Sequence, residues 1–241
     1  MNQKKLVGEK AATFIENNTV VGLGTGSTAT YMVEALARRV KEENLSVTCV
    51  STSNVTKDLA ISLGLNVKEL SEVGEIDLTI DGSDEVSPDF QGIKGGGGAL
   101  LYEKIVAVNS KNVIWIVDDS KMVEYLGAFP LPVEVIPFGS EHLFETFKAK
   151  GYNPTYRMQD ATDKFITDAG NIIIDLHMEK IDDPKQLANE LKSEVGVVEH
   201  GFFIDIVDRV IVGNENGTVD ILDVKIMLNK GVKNNENGRF N

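Results

Sequence analysis

The stretch TVVGLGTGSTA, residues 19–29, joins an apolar run to a glycine-rich loop and the start of a helical pattern. The run at 19–24 predicts a buried strand. After it, apolar residues recur at the spacing of one helix face, at Ala29, Val33, Leu36, Ala37 and Val40. A strand, a glycine loop and a helix in this order are typical of proteins built on a parallel sheet. The stretch therefore predicts the first βα unit of such a sheet.

Three more units of the same kind follow in the first half of the chain. Apolar runs at 45–51, 76–80 and 112–117 predict strands, and the runs at 56–63 and 99–108 predict helices between them. Strands that are apolar on both sides and alternate with helices indicate an α/β fold, here a Rossmann-like, mainly parallel sheet with helices on both faces. Each strand ends in a polar loop, and such sheets bind ligands at the carboxyl ends of their strands.

The second half changes to the order strand, helix, strand, strand, helix, strand. The segments are PLPVEVIPF, 140–150, PTYRMQ, NIIIDLH, 184–194 and VGVVEHGFF, which predicts a smaller ferredoxin-like α+β domain. DRVIVG and TVDIL flank the turn NENG and predict a hairpin that returns to the first sheet. We therefore expect a Rossmann-like catalytic domain at 1–128 and 205–228, the ferredoxin-like domain at 129–204, and a polar tail at 229–241.

Composition limits the classes of partner. The 241 residues carry a formal charge of -13 and lack a cluster of lysines interleaved with aromatics, so neither nucleic acid nor an anionic membrane is expected as a partner. The amino terminus lacks the apolar core of a signal peptide, and no run is long enough to span a membrane, which predicts a cytoplasmic protein. The single cysteine, Cys49, excludes a disulfide framework.

The loop GLGTGSTA, 22–29, admits more than one function. Its GTGSTA portion fits the dinucleotide motif, but Ser51, Thr52, Ser53 and Asn54 stand where that motif expects an acid after the second strand. The loop offers hydroxyl groups at Thr25, Ser27 and Thr28 and free amides, Gly26 included, at a helix N-terminus, which suits a phosphate or another oxyanion. A tight turn with a capped helix is the alternative.

The loop DGSDE, 81–85, brings three carboxylates together after the third strand. Asp81 and Asp84, with Gly82 and Ser83 between them, suit hydrogen bonds to sugar hydroxyls or proton exchange; a solvated acidic turn is the alternative. The spacing departs from a calcium loop, and His142, His177 and His200 are scattered without ligand spacing, so no metal site is predicted.

The segment KGGGGALLYEK, 94–104, places Lys94 before the consecutive glycines Gly95, Gly96, Gly97 and Gly98. Such a loop lets backbone amides point at developing negative charge. If the helix begins at Ala99, Glu103 projects from its second turn among apolar neighbours, which would raise its pKa toward the range of a general base. Lys104 has similar neighbours, so periodicity does not choose between the two. Lys121, in VDDSK after the fourth strand, is placed to meet an anion at the same edge.

The chain resembles the type A ribose-5-phosphate isomerase family at five places taken together: TGST (25–28), DGSD (81–84), KGGGG (94–98), Glu103 and SK (120–121). The resemblance extends over residues 11–217 through the segments FPLPVEVIP, GYNPTYR, TDAGNIIID and GVVEHGFF. It implies an aldose-ketose isomerase of the non-oxidative pentose phosphate pathway, which interconverts D-ribose 5-phosphate and D-ribulose 5-phosphate through an enediolate. It also implies no metal or nucleotide cofactor and a homodimer or homotetramer.

The resemblance implies a role for each matching residue. Glu103 matches the base, and Lys94 with the amides of Gly95, Gly96 and Gly97 matches the stabilisers of the enediolate. Asp81 and Asp84, in the loop with Gly82 and Ser83, match residues that contact the sugar hydroxyls and assist ring opening. Phosphate and substrate contacts match Thr25, Gly26, Ser27, Thr28 and Lys121. An N-terminal lysine, Lys4 or Lys5, is expected near the phosphate.

Other functions remain open at the level of the sequence. A regulatory module that binds a sugar phosphate without turnover would need neither Glu103 nor Lys94. An amino-sugar phosphate isomerase/deaminase or a coenzyme A transferase would share the scaffold, and a covalent acyl group on a glutamate would mark the transferase. A nicotinamide dehydrogenase would be stabilised by NAD.

Overall fold

The computed structural model describes residues 2–224 and residue 227. Its helices, numbered along the chain, are α1 (Gln3–Ala12), α2 (Ser27–Glu43), α3 (Asn54–Ser62), α4 (Leu100–Val108), α5 (Ser140–Ala149) and α6 (Pro184–Ser193). Its strands are β1 (Thr19–Leu23), β2 (Val47–Ser51), β3 (Leu78–Asp81), β4 (Glu85–Val86), β5 (Gly92–Ile93), β6 (Val113–Asp118), β7 (Leu131–Val135), β8 (Pro154–Tyr156), β9 (Ile172–Leu176), β10 (Val197–His200), β11 (Phe202–Phe203), β12 (Arg209–Gly213) and β13 (Val219–Asp223).

The large sheet has the order β13-β12-β6-β3-β1-β2, and β13 alone of these strands runs antiparallel to its neighbour. In β6, Ile114 and Ile116 pack into the apolar cluster beneath α1 and α2, while Trp115 packs into the cluster on the opposite face. Alternate residues of one strand are thus buried on both faces, as expected of a sheet covered on both sides. The predicted α/β class and the β12–β13 hairpin are confirmed.

Helix α1 was not predicted from the sequence. It carries charged residues along most of its length, begins at an Asn2 cap and buries few side chains, among them Val7 and Ala11. Gly8 lets it approach α2 closely, because a Cβ at this position would lie 2.8 Å from the Met32 nitrogen. Packing against α2 therefore stabilises a helix whose own periodicity is weak.

The second sheet has the order β10-β7-β9-β8 with every pair antiparallel. This is the arrangement of the predicted βαββαβ unit, and α5 and α6 cover one face through residues such as Leu143, Phe147 and Leu191. The predicted domain boundaries at 128/129 and 204/205 stay a prediction. The tail at 229–241, and residues 225, 226 and 228 of the first domain, lie outside the described residues.

A third sheet has three strands, in the order β11-β5-β4, and it shows that one strand predicted from the sequence was wrong. VGVVEHGFF is two strands: β10 pairs with β7, whereas β11 pairs with β5 after a break at Gly201. A side chain at Gly201 would lie 2.4 Å from the Lys94 carbonyl oxygen, and the Lys94 amide donates to the Gly201 carbonyl at 2.9 Å. Gly201, at the break between β10 and β11, therefore holds Lys94 at the start of the glycine loop. Within the described part of the chain, no helix is both long and apolar enough to cross a lipid bilayer.

Candidate active site

Four loops meet in one cavity at the carboxyl edge of the large sheet. They follow β1, β3, β5 and β6, and every binding residue predicted from the sequence lines the cavity except Asp81. Glu103 lines it as well. So do Lys4, Val117 and Asp118; the sequence predicted Lys4 as one of two options and did not single out Val117 or Asp118. The parallel order of β1, β3 and β6 explains why residues far apart in sequence converge here.

The 25–28 loop opens helix α2 toward this cavity. The helix begins at Ser27, two residues earlier than the first residue of the predicted apolar pattern, and its N-cap Gly26 has φ +111°, a conformation that favours glycine. The described residues supply no side-chain cap there, so amides of the first turn stay available for an oxyanion. Lys4 Nζ donates to Ser27 Oγ at 2.9 Å. Lys5 instead lies 4.0 Å from Glu9, which favours Lys4 as the N-terminal lysine of the site.

The Thr25 hydroxyl serves the loop itself. Its Oγ1 lies 2.7 Å from Thr52 Oγ1 and 2.8 Å from Ser53 Oγ, so the hydroxyl residues after β2 brace the first loop. The polar residues 51–54, which weakened the dinucleotide interpretation, thereby have a structural role. Lys121, which also lines the cavity, ends a short 3-10 helix, Asp119–Lys121, that follows β6.

A buried group of three charges lies beneath these loops. Lys94 Nζ lies 3.0 Å from Asp81 Oδ2, 3.4 Å from Glu103 Oε2, and donates to the Gly82 carbonyl at 2.6 Å. The side chains of Asp81, Lys94 and Glu103 are each at most 4% exposed. Asp81 Oδ1 also accepts from the amides of Thr25 at 3.0 Å and Gly82 at 2.7 Å. Asp81 does not line the cavity itself; it contacts Lys94, which does, and the amides of the first two loops.

Glu103 differs from Asp81 in having no such donors. It lies in the first turn of α4, which begins at Leu100, so the predicted placement in the second turn was wrong. Its Oε2 has no hydrogen-bond partner among the residues that the structure describes. Burial raises the pKa of Glu103 from 4.5 to about 8; Lys94 opposes the shift, and the charges of Asp81 and Asp84 add to it. Burial alone would lower the pKa of Lys94, but the two carboxylates outweigh it and the net shift is upward.

Glu103 and Lys104, which periodicity did not distinguish, lie in different surroundings in the structure. Lys104 Nζ donates to Glu199 Oε1 at 2.8 Å and to the His200 carbonyl at 2.7 Å, on the side of α4 that faces the second domain. Glu103 lines the cavity, and Lys104 does not.

The glycine loop is shaped by contacts on both sides. Asp84 Oδ2 accepts from the Gly96 amide at 2.8 Å, and the Gly98 amide donates to the Gly95 carbonyl at 2.9 Å. Gly95 has φ +103° and Gly98 has φ +80°, so both turn positions favour glycine. Ser83 Oγ donates to the Glu85 and Ile93 carbonyls and ties the neighbouring loop to β5. Gly96 and Gly97 remain exposed in the cavity.

Comparison with known proteins identifies the family of this site. The sequence profile of the ribose 5-phosphate isomerase A (phosphoriboisomerase A) family matches residues 48–217. Ribose-5-phosphate isomerase A of Enterococcus faecalis is 58% identical over 217 residues, which cover 90% of this chain and 96% of that protein. That of Streptococcus agalactiae is 59% identical over 220 residues, with 91% and 98% covered. The chain belongs to this family.

Solved structures of ribose-5-phosphate isomerases agree with the assignment. One, in complex with phospho-erythronic acid, has a TM-score of 0.89 at 40% identity and covers 92% of this chain and 100% of that one. Ribose 5-phosphate isomerase A of Methanocaldococcus jannaschii has a TM-score of 0.87 at 39% identity, with 92% and 98% covered. The resemblance seen in the sequence motifs is thereby confirmed.

Two further observations bear on what a member of this family could hold. Among residues 2–224 and 227, no group of three or more His, Cys, Asp or Glu side chains is arranged to hold a metal ion. A larger cavity of about 440 Å³ lies at the amino edge of the sheet, between Phe14 and Arg209, whereas the glycine loop lies at the carboxyl edge. The four loops that carry the predicted site residues line the smaller cavity at the carboxyl edge, so that cavity is the candidate active site.

Proposed function

We propose that this chain is an aldose-ketose isomerase that interconverts D-ribose 5-phosphate and D-ribulose 5-phosphate through an enediolate, with Glu103 as the base. The observation that carries the proposal is the position of the Glu103 carboxylate. It is buried, it lines the cavity that also contains the glycine loop, and its Oε2 makes no hydrogen bond in the described part of the chain beyond the 3.4 Å ionic contact with Lys94 Nζ. The names of the relatives support the substrate, and the ligand of one solved structure, phospho-erythronic acid, is itself a sugar-acid phosphate.

In this proposal Glu103 moves one proton between two carbons. The carboxylate removes the proton from C2 of the open-chain aldose, and the electron pair of the broken C–H bond forms the C1–C2 double bond of the enediolate while the C1 carbonyl oxygen takes up charge. Glu103 then returns the proton to C1, and the O2 hydroxyl proton passes to O1, which leaves a ketone at C2. A base with a pKa near 8 is well matched to this exchange at neutral pH.

The negative charge of the enediolate requires donors that are already in place. Lys94 supplies a buried ammonium group, and the glycine loop supplies the amide of Gly97, an exposed residue of the cavity lining whose N–H donates to no other group in the described part of the chain. Removing one preorganised donor of this kind typically costs about 10²- to 10³-fold in rate. Because Asp81 is bonded to Lys94 and to two amides, we assign it the positioning of Lys94. Asp84, which lines the cavity, is assigned the contact with the sugar hydroxyls and assistance in ring opening.

The opposite part of the cavity is suited to the phosphate. The first turn of α2 offers amides at Ser27 and Thr28, and Lys4 and Lys121 add positive charge to a protein that is otherwise strongly acidic. These residues would fix one end of the substrate and so hold C1 and C2 in front of Glu103.

Turnover of Glu103→Gln tests the proposal. With chelator present, the wild type should convert ribose 5-phosphate to the ketose, and the variant should lose about 10²- to 10⁴-fold in kcat with little change in KM. Glu134→Gln is a matched control, because Glu134 is also buried with an unpaired Oε2 but lies outside the cavity. Wild-type turnover in Glu103→Gln would remove Glu103 from its role, and no ketose from the wild type would overturn the function.

We further propose that the chain acts in the cytoplasm as a homo-oligomer, either a dimer or a tetramer. The second domain exposes Phe138 and Val195 at 95% each, and the Ile136 amide donates to the Gly196 carbonyl, which brings the two segments side by side. Large exposed apolar side chains grouped in this way are typical of contact surfaces. Light scattering of the purified protein measures its mass, and Phe138→Asp should lower it. A monomeric wild type would contradict the proposal.

A further inference from the structure

Arg157 reaches from the second domain to the backbone of the glycine loop. It follows β8, and its backbone is fixed by hydrogen bonds to Ile173 and Phe165. The guanidinium makes a two-pronged pair with Asp175 on β9, with Nε 3.0 Å from Oδ2 and Nη2 2.5 Å from Oδ1. Nη1 then donates to two carbonyls, Gly95 at 2.6 Å and Gly96 at 3.1 Å. One planar cation therefore joins a carboxylate of the second domain to the loop that lines the cavity.

These contacts fix the direction of two peptide groups. In a trans peptide the carbonyl and the amide of the same unit point in opposite directions. Holding the Gly95 carbonyl therefore turns the Gly96 amide away from Arg157, toward Asp84 Oδ2 at 2.8 Å. Holding the Gly96 carbonyl likewise turns the Gly97 amide away from Arg157, and this amide donates to no other group in the described part of the chain.

Without such a hold the loop could adopt the opposite orientation. Glycine populates positive and negative φ about equally, so a peptide between two glycines turns over at low cost. A flipped Gly96–Gly97 peptide would direct a carbonyl dipole, instead of an amide, toward the place where the proposed enediolate develops its charge. The interaction would change from stabilising to destabilising.

Other side chains of the second domain pack against the same loop. A Cβ added at Gly98 would lie 2.3 Å from the Phe165 ring, and one at Gly96 would lie 3.0 Å from Phe129. The close packing restricts where the loop lies. Arg157 is distinct among these residues, because its hydrogen bonds define which way the peptides face.

We propose that Arg157, held by Asp175, is a positioning residue for the isomerisation, and that it orients the Gly97 amide for the transition state and the Gly96 amide for its hydrogen bond to Asp84. The inference rests on the proposed function, because that function assigns the Gly97 amide to the enediolate. The site already assigned does not include either residue: neither side chain lines the cavity, and the pair is about 15% exposed.

Kinetics of Arg157→Met, Arg157→Lys and Asp175→Asn test the proposal. A misplacement of about 1 Å in a reacting group costs up to about 10²-fold, so kcat of Arg157→Met should fall about 10- to 100-fold while KM changes less than about threefold. Lysine can replace one of the contacts but not the planar fork, so Arg157→Lys should recover part of the loss. Lys150→Met removes a different ion pair of the same domain, with Glu190 and Glu194, and should keep kcat.

Two inhibitors separate orientation from folding. Phospho-erythronate carries a charged carboxylate near the reacting end and should lose affinity in step with kcat/KM, whereas ribitol 5-phosphate, which has no charge there, should lose less than about threefold. A variant with wild-type kcat and a lower Tm would show that Arg157 is only structural. A raised KM with unchanged kcat would assign it to substrate binding instead.

Amide hydrogen exchange provides a readout that does not depend on turnover. The Gly98 amide, bonded to the Gly95 carbonyl, should exchange faster in Arg157→Met than in the wild type or in Lys150→Met. Unchanged exchange in a folded Arg157→Met would overturn the inference. If the wild type failed to isomerise ribose 5-phosphate, the proposed function would fall, while the exchange rates would still report whether Arg157 orders the loop.

Discussion

The pH dependence of kcat/KM gives a direct test of the state of Glu103. A pKa of about 8 instead of 4.5 means that burial and the neighbouring carboxylates favour the protonated acid by about 5 kcal/mol, at about 1.36 kcal/mol per unit. The free enzyme must lose that proton before the carboxylate can act as a base. We therefore expect kcat/KM to rise about tenfold per pH unit up to a break near pH 8 and to be level above it.

The assay measures initial ketose formation at substrate concentrations well below KM, between pH 6.5 and 9.5. The lower limit avoids the second ionisation of the substrate phosphate, near pH 6. Asp84→Asn adds an internal comparison, because Asp84 is one of the charges that raise the pKa of Glu103. Whatever the variant does to the rate, its break should move to lower pH.

A profile that stays flat between pH 6.5 and 9.5 would refute this reasoning. It would mean that Glu103 is already ionised at pH 6.5 and that burial does not hold its proton. A break near pH 8 that survives in Glu103→Gln would assign the titration to another group. Lys104 is the group to examine in that case, because burial lowers its pKa to about 8, while Glu199 acts in the opposite direction.

Three further predictions concern the same buried charges. Lys94→Met leaves the carboxylates of Asp81 and Glu103 without their cation, so urea unfolding should show a loss of about 3–5 kcal/mol, smaller at pH 5 than at pH 8 as the acids take up protons. Gly24→Ala would place a Cβ 2.2 Å from Asp81 Oδ1, so both Tm and kcat should fall, whereas Gly74→Ala, with open space around it, should preserve both. Glu103→Gln should unfold at a higher Tm than the wild type, by a margin that grows from pH 5 to pH 8. The folded pKa of about 8 exceeds the unfolded 4.5, so between these values the unfolded acid is ionised while the folded acid still holds its proton, and the wild type loses stability as the pH rises toward the folded pKa. Equal margins at both pH values would contradict the assigned pKa.

Much of this fold could be predicted, because its strands are apolar on both faces and end in loops with distinctive composition. The glycine loops at 25–28 and 94–98 could be found for the same reason: glycine clusters indicate backbone conformations that other residues avoid. Strands of two residues, such as β5, are too short to show a period, and the polar helix α1 depends on packing with α2. These elements become visible only in three dimensions.

The roles of individual charges were harder to predict than their location. Glu103 and Lys104 have similar neighbours along the helix, and only the position of the second domain separates them: Glu199 and His200 hold Lys104 away from the cavity. Arg157 ends GYNPTYR, one of the segments that extend the family resemblance, but no pattern around it predicted a role, because an arginine after a short strand is usually a surface residue. Its contact with the glycine loop spans 61 positions in the chain, which local sequence patterns do not reveal.

The different behaviour of Asp81 and Glu103 follows from how the donors of the site are distributed. Burial raises the pKa of both carboxyl groups, and one ammonium group lies between them. Asp81 has the shorter contact to Lys94 and two backbone amides on its other oxygen, whereas Glu103 has only the longer contact, from Oε2 to Lys94 Nζ, and no backbone amide. A single proton shared by the buried group therefore goes to Glu103, since ionised Asp81 is the better stabilised of the two. Under the proposed function, the backbone of the first two loops thus determines which acid is assigned to hold Lys94 in place and which one to exchange protons with the substrate.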